Sequence, residues 1–82
     1  MIVTVLYFAA VRDLVGQAEE RLTLPAHVTT IDALSRHLAT IHPTLEGRLA
    51  SVRFARNEEF VMSDSAIGDN DVIALIPPVA GG

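Results

Sequence analysis

The sequence predicts an α+β domain, a mixed sheet of four to five strands with one main helix packed across it. Three observations lead there: an opening strand apolar on both faces, a single strongly patterned helix in mid-chain, and an apolar closing strand between a polar turn and two prolines. Strands that are apolar on both faces belong in the centre of a sheet, so the first and last strands are expected side by side.

Residues Ile2 to Phe8 are β-branched and aromatic, with Val3, Val5 and Tyr7 on one face and Ile2, Thr4, Leu6 and Phe8 on the other. After Arg12, Asp13 and Gly16 a second alternation, Arg21-Leu22-Thr23-Leu24, stops at Pro25. The two strands are close enough in sequence to pair as a hairpin, and the long connection between them reads as an irregular loop. Thr29 is positioned to cap the helix, with Asp32 three residues later as in a capping box, and Ile31, Leu34, Leu38 and Ile41 form its apolar stripe. Pro43 ends it, and one further helical turn is expected between Thr44 and Ala50, where Gly47 weakens the pattern. Val52 to Asn57 alternates as a strand and Phe60-Val61-Met62 is a short edge piece. Asp69-Asn70-Asp71 is a turn before the strand Val72 to Ile76. With the last strand beside the first, this order gives the β-grasp arrangement; a ferredoxin-like domain needs a second full helix that the Thr44–Ala50 segment cannot supply. The expected division is residues 1–76 as the domain and 77–82 as an extended C-terminal tail.

Composition narrows the function. Eighty-two residues make one domain with a modest core and little room for a deep active site. No apolar run reaches the length of a membrane span, and the N-terminal residues alternate as a strand instead of forming a signal peptide, so a cytoplasmic, non-membrane domain is expected. A net charge of −4, from ten acidic side chains against six arginines, disfavours nucleic acid as a ligand. The chain has neither cysteine nor lysine. Thiolate metal sites, persulfides, a cysteine nucleophile and Schiff-base catalysis are therefore excluded.

The remaining polar residues offer no catalytic device. His37 and His42 are roughly 140° apart around a helix, too far to share a metal, and no metal site is expected. Ser35 and His37 do not face each other on a helix, which dismisses a nucleophile set with Asp32. Glu19-Glu20 and Glu58-Glu59 read as solvated charges, and Asp69 and Asp71 lack the other ligands of a calcium loop.

The ending Pro77-Pro78-Val79-Ala80-Gly81-Gly82 differs in kind. Two prolines stop the strand and stiffen the exit, and Ala80, Gly81 and Gly82 have almost no bulk. Six extended residues reach roughly 20 Å. A terminal glycine carboxyl is open to activation by a partner and to attack by a nucleophile. A frayed terminus would look the same in isolation; the position directly after the closing strand of a β-grasp domain is what marks this one.

With Tyr7-Phe8-Ala9-Ala10-Val11-Arg12-Asp13-Leu14-Val15-Gly16, Ala55-Arg56-Asn57, Asp69-Asn70-Asp71-Val72 and Ile76-Pro77-Pro78-Val79-Ala80-Gly81-Gly82, nearly the whole chain resembles the small subunits of molybdopterin synthase, sulfur carriers of the ubiquitin-like MoaD/ThiS family. Asn70 departs from the glycine usual in that turn, a substitution a left-handed asparagine tolerates. The resemblance implies a carrier that is not an enzyme by itself and holds no permanent cofactor. By the same resemblance a ubiquitin-activating-like adenylyltransferase is expected to use ATP to adenylate the carboxyl of Gly82, and sulfur transfer to make a thiocarboxylate. The tail, with Gly81 and Ala80 passing a narrow channel, is then expected to enter the large synthase subunit and donate sulfur to precursor Z, cyclic pyranopterin monophosphate. It also implies a heterotetramer of two carriers and two large subunits. Leu6, Phe8, Arg12, Pro77, Pro78 and Val79 are the expected partner-binding residues, with burial of Leu6 and Phe8 under a loop as the competing expectation. Three other functions stay open: a thiamine-pathway sulfur carrier, a protein modifier joined through Gly82, and a plain interaction domain.

Overall fold

The computed structural model describes residues 1–78; Val79, Ala80, Gly81 and Gly82, and with them the predicted end of the tail, lie outside the described residues. Among the described residues five strands form one sheet: β1 (Ile2–Tyr7), β2 (Glu19–Thr23), β3 (Arg53–Arg56), β4 (Glu59–Val61) and β5 (Val72–Ile76), in the order β2-β1-β5-β3-β4. β1 pairs antiparallel with β2 and parallel with β5, and β5 pairs antiparallel with β3. The two-faced apolar strands thus occupy the centre, as their composition requires, and the arrangement is the β-grasp.

Two helices, α1 (Ala9–Val15) and α2 (Ile31–Ile41), complete the described fold. Val3, Val5, Tyr7, Ile73, Leu75 and Phe54 join one core with Val11, Ile31, Leu34, Leu38 and Leu45. Each such side chain, fully buried, stabilises the fold by about 1.5–3 kcal/mol relative to exposure.

The structure corrects several expectations. The β1–β2 connection is a helix and not an irregular loop: Val11, Leu14 and Val15 turn inward at helical spacing, and Gly16, left-handed at φ 87°, closes α1 with its N–H on the Arg12 carbonyl at 2.8 Å. The α2 cap is Thr30, not Thr29; its hydroxyl accepts from the Ala33 N–H at 3.2 Å, and Asp32 pairs with Arg36 instead of closing a capping box. Ile41 is 39% exposed in the last turn of α2, and Leu45, in the 3-10 turn Pro43–Leu45 that replaces the expected helical turn, is buried. β2 begins two residues early because Glu19 pairs with Leu6.

Two turns hold the end of the sheet where β5 begins. Asn57 and Glu58 both have positive φ, 50° and 73°, giving the tight reversal that a two-residue hairpin needs. Asn57 donates to Asp71 and accepts from the Val72 N–H, so the β3–β4 turn is tied to the start of β5. Asn70 is left-handed at φ 66°, as expected, and Asp69 accepts the Ile2 N–H at 2.8 Å.

Candidate docking face and tail exit

Because β1 and β5 are parallel neighbours, with Leu6 beside Ala74 and Tyr7 beside Leu75, both strands run out at the same end of the sheet. Phe8 and Pro77 therefore leave the sheet at the same end, one leading into α1 and the other out of the domain.

The packed helices cover only one face of the sheet. Ile2, Thr4 and Leu6 from β1, and Val72, Ala74 and Ile76 from β5, alternate onto the other. Cross-strand pairing adds Ala55, beside Ala74, and Phe60, opposite Ala55. Phe8 is 46% exposed, Phe60 55% and Met62 75%, while Leu6 is half-buried. Phe8 is therefore not buried under a loop. The Arg53 guanidinium lies 3.8 Å from the centroid of the Phe60 ring, a cation stacked on an exposed aromatic. Small Ala55 and Ala74 in the middle, with large apolar groups around them, make a shallow apolar field of the kind that marks a contact surface.

Of the residues expected to bind a partner, Leu6, Phe8, Arg12, Pro77 and Pro78 are described, and Phe8, Arg12 and Pro78 are exposed. Val79, Ala80, Gly81 and Gly82 are outside the described residues. The sequence reading passed over Phe60, Met62 and Arg53. The available signal was Phe60 standing on the face opposite to Val61 in an edge strand, but its neighbour Ala55 is known only once strands are paired.

One expectation about charge changes. Glu20 is not a solvated carboxylate: it accepts the Tyr7 hydroxyl at 2.7 Å and lies 2.7 Å from His42 Nε2, joining β1, β2 and the end of α2. Burial pushes the Glu20 carboxyl up, and hydrogen bonds from His42 and Tyr7 outweigh that, leaving it below its ordinary value. Burial, then the hydrogen bond and charge of Glu20, push the Tyr7 phenol far up, so it stays a neutral donor. The cluster is fully partnered and structural.

Nothing in the described part resembles a catalytic centre. Among the described residues no group of three His, Cys, Asp or Glu side chains could hold a metal ion, and no helix is long and apolar enough to cross a membrane. A groove of about 940 Å³ between α2 and the β3–β4 edge is lined by Leu45, Leu49, Phe54 and Val61. Its carboxylate, Asp32, is already paired with Arg36.

Comparison with known proteins bears on the family and the fold. Residues 5–82 match the ThiS family. A molybdopterin synthase sulfur carrier subunit of Chlamydomonas reinhardtii is 37% identical over 84 residues covering 100% of both chains. SAMP1 of Haloferax volcanii, small archaeal modifier protein 1, superposes with a TM-score of 0.87 at 26% identity over 100% of both chains. A chain from the complex of subunits 1 and 2 of molybdopterin-converting factor of Helicobacter pylori 26695 superposes with a TM-score of 0.70 over 100% of both chains; at 24% identity this is a likeness of fold.

The chain belongs to the ThiS family of ubiquitin-like sulfur carriers. Its function is that of the sulfur carrier subunit of molybdopterin synthase in molybdenum cofactor biosynthesis, a subunit that carries sulfur without being a catalyst on its own.

Proposed function

We propose that the carboxyl of Gly82 is the group that carries the sulfur, that residues 77–82 act as the arm delivering it, and that the open sheet face docks the partners. The observation that supports this reading is the parallel β1–β5 pair, which brings Phe8 and Pro77 out at the same end of the uncovered apolar face. A partner seated on that face is in position to take in the tail.

The chemistry follows from what a carboxylate lacks. It is a poor nucleophile, and its oxygen is a poor leaving group. Attack on ATP, held by an adenylyltransferase, releases pyrophosphate and leaves an acyl adenylate; a sulfur donor then displaces AMP and leaves a thiocarboxylate. Thiocarboxylate sulfur is a soft nucleophile at neutral pH, so a chain without cysteine can still deliver sulfur. Gly81 and Ala80 let the arm pass a narrow channel in the large subunit, where precursor Z receives the sulfur. Leu6, Phe8, Arg12, Pro77, Pro78 and Val79 form the docking set, and Phe60, Met62 and Arg53 extend it. Two carriers and two large subunits make up the working complex, one carrier at each end of a large-subunit dimer.

Intact-mass analysis of the chain from its native host is the test. A species heavier by the difference between one sulfur and one oxygen is expected, with the change on Gly82. Its lasting absence under sulfur-replete conditions overturns the carrier chemistry. The fold likeness to SAMP1 favours a second reading, a modifier joined through Gly82 to lysines of other proteins. Branched Gly82–lysine peptides in a digest of the host proteome would support it.

A further inference from the structure

Phe8 sits between two anchored neighbours. On one side Tyr7 is 1% exposed; its hydroxyl is held by Glu20, which His42 also contacts, and its N–H donates to the Ala18 carbonyl at 2.8 Å. On the other side Val11 is 3% exposed in the core, and the Val11 and Arg12 N–H groups both reach the Phe8 carbonyl, at 3.1 and 3.3 Å. Farther along α1, the Thr44 hydroxyl donates to the Leu14 carbonyl at 2.9 Å.

Between these anchors the chain turns through Ala9, whose φ is 48°, a left-handed conformation that an alanine rarely adopts. Ala9 is exposed, so no burial of its own side chain explains it. Phe8 itself is extended, at φ −124° and ψ 152°. In this strand-to-helix turn Ala9 holds a conformation that glycine would take freely while leaving the junction loose. Alanine leaves few other conformations open once both neighbours are anchored.

We propose that Ala9 is a positioning residue: its left-handed turn, clamped between the Tyr7–Glu20 anchor and the buried Val11, presets the outward Phe8 ring for docking of the large subunit. The inference rests on the reading of Phe8 as a docking residue. Preorganisation lowers the ordering cost on association, so loosening the junction weakens binding without unfolding the domain.

The test measures the affinity of the full-length carrier for its cognate large subunit together with thermal unfolding of the free carrier. Ala9→Gly should bind about three- to fivefold more weakly, from the added backbone freedom, with its thermal midpoint essentially in place because strain relief offsets the added flexibility of the unfolded chain. Ala9→Asn, which accepts left-handed φ while keeping a side chain, should bind like the parent. Amide exchange at Val11 and Arg12 should speed up in the glycine variant and not in the asparagine variant. Phe8→Ala is the control. If it weakens binding while Ala9→Gly binds like the parent, or if the glycine and asparagine variants lose affinity and stability alike, the positioning role is overturned. If Phe8→Ala itself binds like the parent, the docking reading fails and the positioning role falls with it.

Discussion

Along β1, Val3, Val5 and Tyr7 are at most 1% exposed, whereas Ile2, Thr4 and Leu6, alternating with them, lie on the uncovered face, with Ile2 36% exposed. β5 repeats the contrast, with Ile73 and Leu75 buried and Val72 37% exposed. All but Thr4 and Tyr7 are aliphatic on both faces, so hydrophobicity does not separate them. What separates them is what each face meets: α1 and α2 on one side, and no helix among the described residues on the other. The first face holds the domain together, and the second is apolar at the risk of aggregation, the face on which the proposed docking rests.

The largest effect is expected at neither face. Adding one residue after Gly82 turns its carboxyl into an amide and should abolish sulfur transfer with the thermal midpoint unchanged. Product formation by that variant, verified unprocessed by mass spectrometry, would remove the tail from the scheme. On the covered face, Leu75→Ala should destabilise the free carrier by about 2–5 kcal/mol through lost burial and the cavity left behind, measured by chemical denaturation. A loss below about 1 kcal/mol would mean that the two faces are not energetically distinct. On the open face, Phe60→Ala should leave stability within about 0.5–1 kcal/mol of the parent and weaken binding of the large subunit by about 2 kcal/mol, as loss of an exposed aromatic anchor does. Calorimetric titration checks it, and unchanged affinity would shrink the docking surface to the tail exit.

The smallest effect concerns the Tyr7–Glu20–His42 cluster at the rim between the faces. Glu20 has a lowered folded pKa, so its contribution is present above its ordinary value of 4.5 and is lost as pH falls through the folded value. Glu20→Gln should therefore be less stable than the parent at pH 7 by about 1 kcal/mol, with the gap closing at pH values well below 4.5. A gap that is constant with pH would mean that the carboxylate charge contributes nothing.

The strands were legible because period-two patterning in β1 and β5 is strong, and their place side by side followed from their two apolar faces, while the parallel direction came from the structure. The α2 segment was legible from Ile31, Leu34 and Leu38, although its cap was off by one because Thr29 and Thr30 are equally able to accept a hydrogen bond. α1 was missed for a physical reason. Seven residues make about two turns, too short for a distinct apolar stripe, and its helicity depends on packing of Val11, Leu14 and Val15. Glu20 was misread because two adjacent glutamates look alike until pairing with β1 sends one toward Tyr7 and His42.

By itself the sequence determined the strand and helix alphabet, the absence of thiol and amine chemistry, and the Gly-Gly ending, since each depends on residue identity or on spacing within one segment. Tertiary structure alone decided which apolar residues are core and which are surface. It brought Phe60, Arg53 and Ala55 onto one face with Leu6, forced Ala9 into a left-handed turn, and joined Tyr7 to Glu20 and His42. Those outcomes depend on which strands pair and on the side from which the helices pack, and contacts between residues far apart in the chain leave no periodic trace in it.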